Sequence, residues 1–167
     1  MTAGAFTSRS AEQSWRELDV PWREAFELAW SSAREGGIGI GAVLVRDGRV
    51  LGRGRNRRFG DEPRGLLAHA EMLAMDTLPT GKDRPADLDL YTTLSPCPMC
   101  LGASVIARIR TVRYDATGPT WSGVEGVEML NPEVADRMPA LTERFVLTSC
   151  MRCRTSSRSS RSPCGAM

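Results

Sequence analysis

The single histidine of this chain lies close in sequence to residues that could bind a metal ion and move protons. His69 precedes Glu71 by two positions, and Cys97 and Cys100 are three positions apart. If a helix begins at Cys97, both sulfurs lie on one helix face and can bind one ion. A cysteine at a helix N-terminus also has a lowered pKa, and the thiolate is the form that binds metal. Thiolate and imidazole ligands together favour zinc.

The number of protein ligands decides what such a zinc ion does. Four ligands make a closed structural site, whereas three leave a position for a water molecule whose pKa the ion lowers. His69, Cys97 and Cys100 make three. The sequence therefore predicts one catalytic zinc ion per chain, with Glu71 as the proton carrier rather than a ligand.

Two alternatives remain for the cysteines. A lone Cys-x-x-Cys motif is also typical of a structural zinc half-site or a redox pair. Cys150 and Cys153 form a second such motif, with Cys164 beyond it. One of these cysteines could supply a fourth ligand, or the three could make a separate structural site. Because these three cysteines have no second histidine and are short of four, we expect free or adventitious thiols.

The surrounding segments predict the elements that position these residues. From residue 21 to 33, apolar residues recur at helical spacing behind a proline and before Gly36, which indicates an amphipathic helix. Residues 41–45 and 50–55 flank Asp47 and a glycine, which predicts a β-hairpin. The remaining predicted elements are a helix over 66–78, a loop over 79–85, a strand over 88–93, a helix over 97–107, a strand over 111–114, a helix over 132–141 and a strand over 145–148. An opening hairpin followed by alternating strands and helices indicates an α/β fold with a mixed sheet covered by helices.

Length and composition predict one soluble globular domain. The chain has 167 residues, of which 41% are hydrophobic and 25% charged, so one core of ordinary size can form. Residues 1–18 are polar and expected to be loosely held. Residues 150–167 are rich in arginine and serine and can bury little, which predicts a domain over 1–149 and a disordered tail.

Charge and hydropathy bear on partners and location. The net charge is +2, but four tail arginines leave 18 basic and 20 acidic residues in 1–149, a net charge of −2. This disfavours nucleic acid as a partner without excluding it, and residues 46–64 hold seven arginines that either are solvated or bind phosphate. No secretory signal and no apolar stretch of about 20 residues is present, so we expect a cytoplasmic protein with no membrane contact.

Four motifs resemble those of a known family, and together they span about residues 38–114. They are Gly41-Ala42-Val43, Gly54-Arg55-Asn56-Arg57, Ala68-His69-Ala70-Glu71 and Leu94-Ser95-Pro96-Cys97-Pro98-Met99-Cys100. The set resembles the cytidine-deaminase-like superfamily, in its nucleobase and tRNA-adenosine branch. The resemblance implies a three-layer αβα sandwich around a mixed five-stranded sheet, and a homodimer.

The same resemblance implies roles for the site residues. Zinc is expected on His69, Cys97 and Cys100. The base is expected to contact the Asn56 side chain and the Ala70 backbone N–H. Glu71 is expected to take a proton from the attacking water, pass it to a ring nitrogen, and then protonate the departing ammonia.

The substrate is less clear from sequence, because the branches share the metal motif. Residues 50–59 and 90–97 resemble fungal cytosine deaminases, with Ser95 where guanine and tRNA adenosine deaminases generally have Glu. Residues 98–103 instead resemble guanine deaminases, and Ala70 stands where the fungal enzymes have Gly. We therefore expect a free nucleobase as substrate, cytosine-like first, with a guanine deaminase or a tRNA adenosine-to-inosine deaminase as the alternatives.

The pocket is expected to be closed by residues 115–130, which follow the last secure strand. Trp121, Glu125 and Glu128 are the candidate base contacts in that segment. We expect each of the three to be packed or solvated rather than bound to the base.

Overall fold

The computed structural model describes residues 11–79, 85–118, 122–123 and 132–143. In chain order these residues form α1 (Ala11–Arg16), α2 (Val20–Arg34), β1 (Gly41–Arg46), β2 (Arg49–Arg55), α3 (Ala70–Asp76), β3 (Asp89–Leu94), α4 (Pro98–Ile106), β4 (Thr111–Ala116), α5 (Pro132–Ala135) and β5 (Ala140–Glu143). Within them, no helix is long and apolar enough to cross a membrane.

The five strands form one mixed sheet in the order β2-β1-β3-β4-β5. β1 is antiparallel to both β2 and β3, whereas β3, β4 and β5 are parallel. The predicted mixed five-stranded sheet is therefore confirmed. Parallel neighbours require a crossover connection, and α4 is the helix between β3 and β4.

Local sequence explains the first helix of the core and the hairpin. Asp19 caps α2, and its carboxylate accepts a hydrogen bond from the Trp22 N–H. Soon after α2 ends, Gly36 has a φ of 79°, in the left-handed region that glycine adopts readily. Asp47 and Gly48 connect β1 to β2 with φ values of 50° and 74°, as a two-residue hairpin turn requires.

Helices cover both faces of the sheet. Leu44 of β1 is buried in one cluster with Ala70 of α3. Val43, its neighbour in the chain, is buried in another cluster with Ala25 of α2. Because successive strand residues point to opposite faces, α2 and α3 lie on opposite sides. The predicted three-layer αβα sandwich is confirmed.

Two glycines allow these helices to approach the sheet closely. A Cβ atom at Gly54 of β2 would lie 2.0 Å from the Ala70 carbonyl oxygen of α3. A Cβ atom at Gly41 of β1 would lie 2.1 Å from the Ala25 carbonyl oxygen of α2. Only a residue without a side chain fits where backbone meets backbone at this distance.

Two predicted helices were too long. The helix predicted over 66–78 begins only at Ala70, because the chain turns at Leu66 and Leu67 and reaches α3 through an extended His69. The helix predicted over 132–141 ends at Ala135. Pro139 disfavours helical continuation, and from Ala140 the chain pairs with β4 as β5.

The structure corrects the expectation of a loosely held segment for residues 11–18, and residues 1–10 lie outside the described residues. Residues 11–16 form α1, and Leu18 is buried in a cluster with Trp22 and Phe26 of α2. The strand predicted over 145–148 and the tail over 150–167 lie outside the described residues. The domain boundary at residue 149 therefore stays a prediction.

Candidate metal centre and active site

Two helix N-termini bring the predicted zinc ligands together. His69 is the N-cap residue of α3, and Cys97 is the N-cap residue of α4, with Cys100 one turn further along. The His69 side chain makes no capping hydrogen bond to α3. The Cys97 sulfur faces the first turn of α4, where the Cys100 sulfur lies 3.6 Å away. Both side chains can therefore act as ligands where the two helices begin.

The three ligand atoms form a triangle that fits one zinc ion. His69 Nδ1 lies 3.6 Å from Cys97 Sγ and 3.5 Å from Cys100 Sγ, and the two sulfurs are 3.6 Å apart. Zn–S bonds of about 2.3 Å and Zn–N bonds of about 2.0 Å in a tetrahedron give edges of roughly 3.8 Å and 3.5 Å. The side chains therefore fit zinc in both chemistry and spacing, with His69 bonded through Nδ1.

The cluster has three members among the described residues. In that part of the chain, one group of histidine, cysteine, aspartate or glutamate side chains has its ligand atoms close enough to hold one ion. It consists of His69, Cys97 and Cys100. Cys150, Cys153 and Cys164 lie outside the described residues, so the prediction that they are free thiols is untested. Three ligands are the number that leaves a position for water.

The two thiols share one proton. The pKa of Cys97 is lowered to about 5, chiefly because the Cys100 thiol donates a hydrogen bond to it, with the N–H groups of Cys100 and Met99 adding. The pKa of Cys100 is raised, because that thiol is the donor of the pair and is buried. One thiolate is therefore formed before metal arrives, and binding as two thiolates would release the Cys100 proton.

Glu71 is buried beside this cluster. Burial in a low-dielectric site raises its pKa to about 7. Thr92 Oγ1 lies 3.2 Å from Glu71 Oε1, and the Cys100 thiol lies 3.5 Å from Oε2. A carboxyl group with a pKa near neutrality can accept and return a proton at physiological pH, as a general acid–base group must.

Asn56 is held in a fixed orientation at the end of β2. Its backbone N–H donates to the Ile40 carbonyl at 2.8 Å, and its own carbonyl accepts from the Ser32 hydroxyl at 2.7 Å. The Arg58 backbone N–H lies 3.1 Å from the side chain. Because a backbone N–H can only donate, the side-chain atom facing it is Oδ1, which leaves the Asn56 amide NH₂ as a donor.

A cavity of about 540 Å³ joins these residues. Asn56, His69, Glu71 and Cys97 line it. Its apolar walls are Ile38, Ile40, Leu66, Leu94 and Met99. Apolar walls with a few convergent polar groups are typical of a ligand site. Leu66 is 72% exposed, so the cavity opens to solvent on that side.

The structure places most of the predicted residues together, with one difference. Ala70 is the first residue of α3, so its N–H has no acceptor within the helix, but Ala70 is not among the residues lining the cavity. Trp121, Glu125 and Glu128 lie outside the described residues. The assigned roles of these residues stay predictions.

Three further residues join the site, and of these the motifs drew attention only to Ser95, as a residue that bears on the substrate. Thr92 lies next to Glu71, and Arg58 lines the cavity. Ser95 also lines it, with its Oγ accepting a hydrogen bond from the Gly118 N–H at 2.9 Å. The alternation along β3 was the available signal for Thr92, because it puts this polar residue on the same face as Leu90.

Comparison with known proteins identifies the family. Residues 18–116 match the family described as the cytidine and deoxycytidylate deaminase zinc-binding region. The chain belongs to this deaminase family. The match and the His-Cys-Cys group together support one catalytic zinc ion, as the sequence predicted. The homodimer and the cytoplasmic location stay predictions.

Similar proteins include two that act on tRNA. A tRNA-specific adenosine deaminase from Streptococcus pyogenes serotype M1 is 38% identical over 107 residues, which cover 63% of this chain and 61% of that protein. The chain thus spans about three fifths of that relative. A solved structure from a study of A-to-I editing by tRNA:A34 deaminases is 36% identical, with a TM-score of 0.63 over 74% of this chain and 95% of that one.

A guanine deaminase from Nitrosomonas europaea shares the fold at lower identity. It is 19% identical, with a TM-score of 0.61 over 89% of this chain and 93% of that one. At this identity the likeness shows the fold alone.

Proposed function

We propose that this chain is a zinc-dependent hydrolytic deaminase that converts adenosine in tRNA to inosine. The observation that carries the choice of substrate is the identity to tRNA adenosine deaminases, 38% over 63% of this chain for one and 36% over 74% for another. This order differs from the one that the motifs favoured, in which a free cytosine-like base came first.

His69, Cys97 and Cys100 would hold the metal. When bound there, zinc supplies a nucleophile at neutral pH by lowering the pKa of water. The His69 ring is oriented by its position at the start of α3, and the two sulfurs by the first turn of α4. Rigid elements that fix a site in this way reduce the reorganisation needed for reaction.

Glu71 would carry the proton between water and substrate. Its carboxylate takes a proton as water adds to the amino-bearing carbon, and delivers it to the adjacent ring nitrogen. The carbon–nitrogen bond then breaks, and ammonia leaves with the second proton of the water. In the metal-free protein burial raises the pKa of Glu71 to about 7, and a buried carboxyl group beside the substrate is the kind of group that transfers protons in both directions.

Thr92 would position Glu71 during this exchange. Its hydroxyl lies 3.2 Å from Glu71 Oε1 and 3.1 Å from the Leu94 carbonyl oxygen, but has only one proton to donate. When Glu71 is ionised, Thr92 donates to it. When Glu71 is protonated, Thr92 can accept from the carboxyl group and donate to Leu94 instead, so both protonation states have a partner.

The base would be oriented by Asn56 between apolar walls. The amide NH₂ of Asn56 is free to donate to an acceptor on the ring, because its Oδ1 is held by Arg58. The Ala70 N–H is a second candidate donor. Ile40, Leu94 and Met99 offer apolar contacts to the ring.

A free cytosine-like base is the second candidate, because of Ser95. This residue stands where tRNA adenosine deaminases generally have Glu, and its hydroxyl hydrogen is available to a ligand in the cavity. A small hydroxyl leaves the site less acidic than a carboxylate would. Ser95 is therefore the residue in this cavity that favours the second candidate.

A deamination assay separates the candidates. The zinc-loaded protein is incubated with an anticodon stem-loop carrying one adenosine at the wobble position, and inosine is measured. Parallel reactions contain adenine, adenosine, cytosine and guanine, with ammonia release as the readout. We expect turnover of the stem-loop and little or none of the free bases, and Glu71→Gln serves as the inactive control.

Turnover of free cytosine without the stem-loop would contradict the proposal and establish the second candidate. Turnover of guanine alone would establish the other alternative that the motifs suggested. Absence of turnover on every substrate, in protein that holds one zinc ion, would contradict the proposed deaminase activity on this set.

A further inference from the structure

Most arginines of residues 46–64 neutralise nearby acids. Four of the seven form ion pairs on the surface or at its edge. The pairs are Arg46 with Asp47, Arg53 with Glu24, Arg55 with Glu35 and Arg57 with Glu62. These arginines are therefore accounted for by the fold, and the basic segment is not one continuous phosphate-binding surface.

Arg58 differs from those four in location and in partners. It lines the cavity, and its Nε atom is buried without a hydrogen-bond partner. Its guanidinium lies over the Phe59 ring, 5.1 Å from the ring centre, which leaves the edge of the group free to donate. Among the described residues, no carboxylate pairs with Arg58.

Two other arginines with a buried, unpartnered Nε show what an ordinary structural arginine does. Arg23 donates through Nη2 to the Leu18 carbonyl at 3.1 Å, and Arg113 donates through Nη2 to Asp89 at 3.4 Å. The Arg58 side chain makes no such bond within the described residues. A cation partly removed from water without an acceptor is costly, so the cavity has a place for an acceptor from a ligand.

The position of Arg58 indicates which part of a ligand it would meet. Its backbone N–H holds Asn56 Oδ1, so the predicted base contact and the guanidinium are two residues apart on one wall of the cavity. No other arginine or lysine lines the cavity within the described residues. A group that the substrate carries beside its base would come within reach of this cation.

We infer that Arg58 binds a phosphate group attached to the nucleoside whose base enters the site. The planar guanidinium presents paired donors that match two phosphate oxygens. The substrate class would then be a nucleotide rather than a free base. The phosphate could be the terminal group of a nucleoside 5′-monophosphate or a phosphodiester of RNA, and Arg58 has this role only if the proposed deaminase site holds substrate.

Equilibrium binding tests whether Arg58 forms a phosphate-binding subsite. Zinc-loaded protein carrying Glu71→Gln, which stops turnover, is titrated with adenosine, adenosine 5′-monophosphate and the adenosine stem-loop at several salt concentrations. Cytidine and its 5′-monophosphate cover the second candidate. Arg58→Ala is compared with Arg49→Ala, which removes the same charge at the opposite, hairpin end of β2, where Arg49 is exposed.

We expect Arg58→Ala to weaken binding of the phosphate-bearing probes by about 10- to 100-fold, as for loss of a charged hydrogen-bonding pair. Binding of the phosphate-free nucleosides should change by less than about twofold. For the RNA, the slope of log affinity against log salt should become shallower by about 0.7, which corresponds to one phosphate contact. Arg49→Ala should leave each of these quantities unchanged.

The probes distinguish the phosphate sources. If Arg58→Ala loses affinity for the stem-loop alone, the bound group is a phosphodiester. If it also loses affinity for the monophosphates, the bound group is a terminal phosphate. The inference is overturned if Arg58→Ala binds phosphate-bearing probes as tightly as Arg49→Ala. It is also overturned if Arg58→Ala weakens nucleosides and nucleotides by the same factor, because Arg58 would then contact the base or the ribose.

The subsite and the proposed substrate can fail separately. If the wild type does not deaminate the stem-loop but Arg58→Ala loses affinity only for the phosphate-bearing probes, the tRNA proposal fails and the subsite stands. Deamination rates are compared for Arg58→Ala and Arg49→Ala with Glu71 intact. If these rates are equal and the Glu71→Gln forms of both variants bind the stem-loop equally, the function stands and the subsite fails.

Discussion

The two faces of the sheet are built in the same way but differ in what they bury. On each face a helix lies against a glycine of a strand, α2 against Gly41 and α3 against Gly54. The α2 face buries an aromatic cluster that includes Trp22 and Phe26. The α3 face buries Glu71 and Cys100 with their hydrogen-bonded neighbours.

This difference separates stability from chemistry. Close packing on the α2 face gains apolar burial, whereas on the α3 face the same close approach holds a carboxyl group whose burial is unfavourable. The α3 face therefore includes the unfavourable burial of a carboxyl group that the proposed function requires. Apolar burial on the α2 face contributes the stability that offsets it. Substitutions on the two faces should affect different measurements.

The largest expected difference between the faces is in turnover. Glu71→Gln should lower kcat by 10²- to 10⁴-fold, the usual contribution of a general acid–base group, while zinc content stays at one per chain. Glu24→Gln makes the same chemical change on α2, where Glu24 pairs with Arg53, and should leave kcat unchanged. Equal kcat values for Glu71→Gln and the wild type would contradict the role of Glu71.

The burial of Glu71 should also appear in the pH dependence of stability. In the metal-free protein its folded pKa of about 7 exceeds the ordinary 4.5, so the folded state binds this proton more tightly than the unfolded state. The free energy of unfolding should therefore fall as pH rises from about 4.5 to 7, by on the order of 3 kcal/mol. The lowered pKa of Cys97 acts in the opposite direction between about pH 5 and 9.

Denaturant titration of the metal-free wild type and Glu71→Gln isolates the first effect, because Cys97 is common to both. Glu71→Gln should gain stability relative to the wild type as pH rises from 4.5 to 8. A difference between the two proteins that does not change with pH would show that Glu71 is not held in a desolvated site.

Removal of the Thr92 hydroxyl should have a smaller effect, confined to the α3 face. Thr92→Val keeps the shape but leaves Glu71 without its 3.2 Å partner, and kcat should fall by roughly tenfold, with KM little changed. Thr92→Ser keeps the hydroxyl and should restore most of the activity. If Thr92→Ser were as impaired as Thr92→Val, Thr92 would act through packing and not through Glu71.

The smallest effect is expected on the aromatic cluster of the α2 face. Phe26→Leu removes ring contacts with Trp22, whose ring centre lies 6.1 Å away, and should lower the free energy of unfolding by about 1 kcal/mol. Turnover per folded molecule should not change. A loss of kcat without a loss of stability would mean that the two faces are coupled more tightly than their packing indicates.

The candidate site was predictable where local sequence decides geometry. A proline after Cys97 and the three-residue spacing to Cys100 determine how α4 begins, so these ligands follow from sequence alone. The turn residues Asp47 and Gly48 likewise determine the hairpin. For such elements the interactions that matter lie within a few residues of one another.

Features that depend on distant contacts were not predictable in this way. Thr92 reaches Glu71 across 21 positions of sequence, and the pairing of β5 with β4 overrides the helical pattern after Ala135. Arg58 is one of seven arginines in residues 46–64, and its position in the cavity and its unpartnered Nε are visible only in the structure. In each case tertiary packing decides between local alternatives that the sequence leaves open.

Zinc K-edge X-ray absorption of the active protein tests most directly whether the metal has three protein ligands and an open position. We expect one zinc ion per chain with two sulfur neighbours at about 2.3 Å and two nitrogen or oxygen neighbours at about 2.0 Å. Three or four sulfur neighbours would mean that another cysteine closes the site, and would contradict a catalytic role for the zinc.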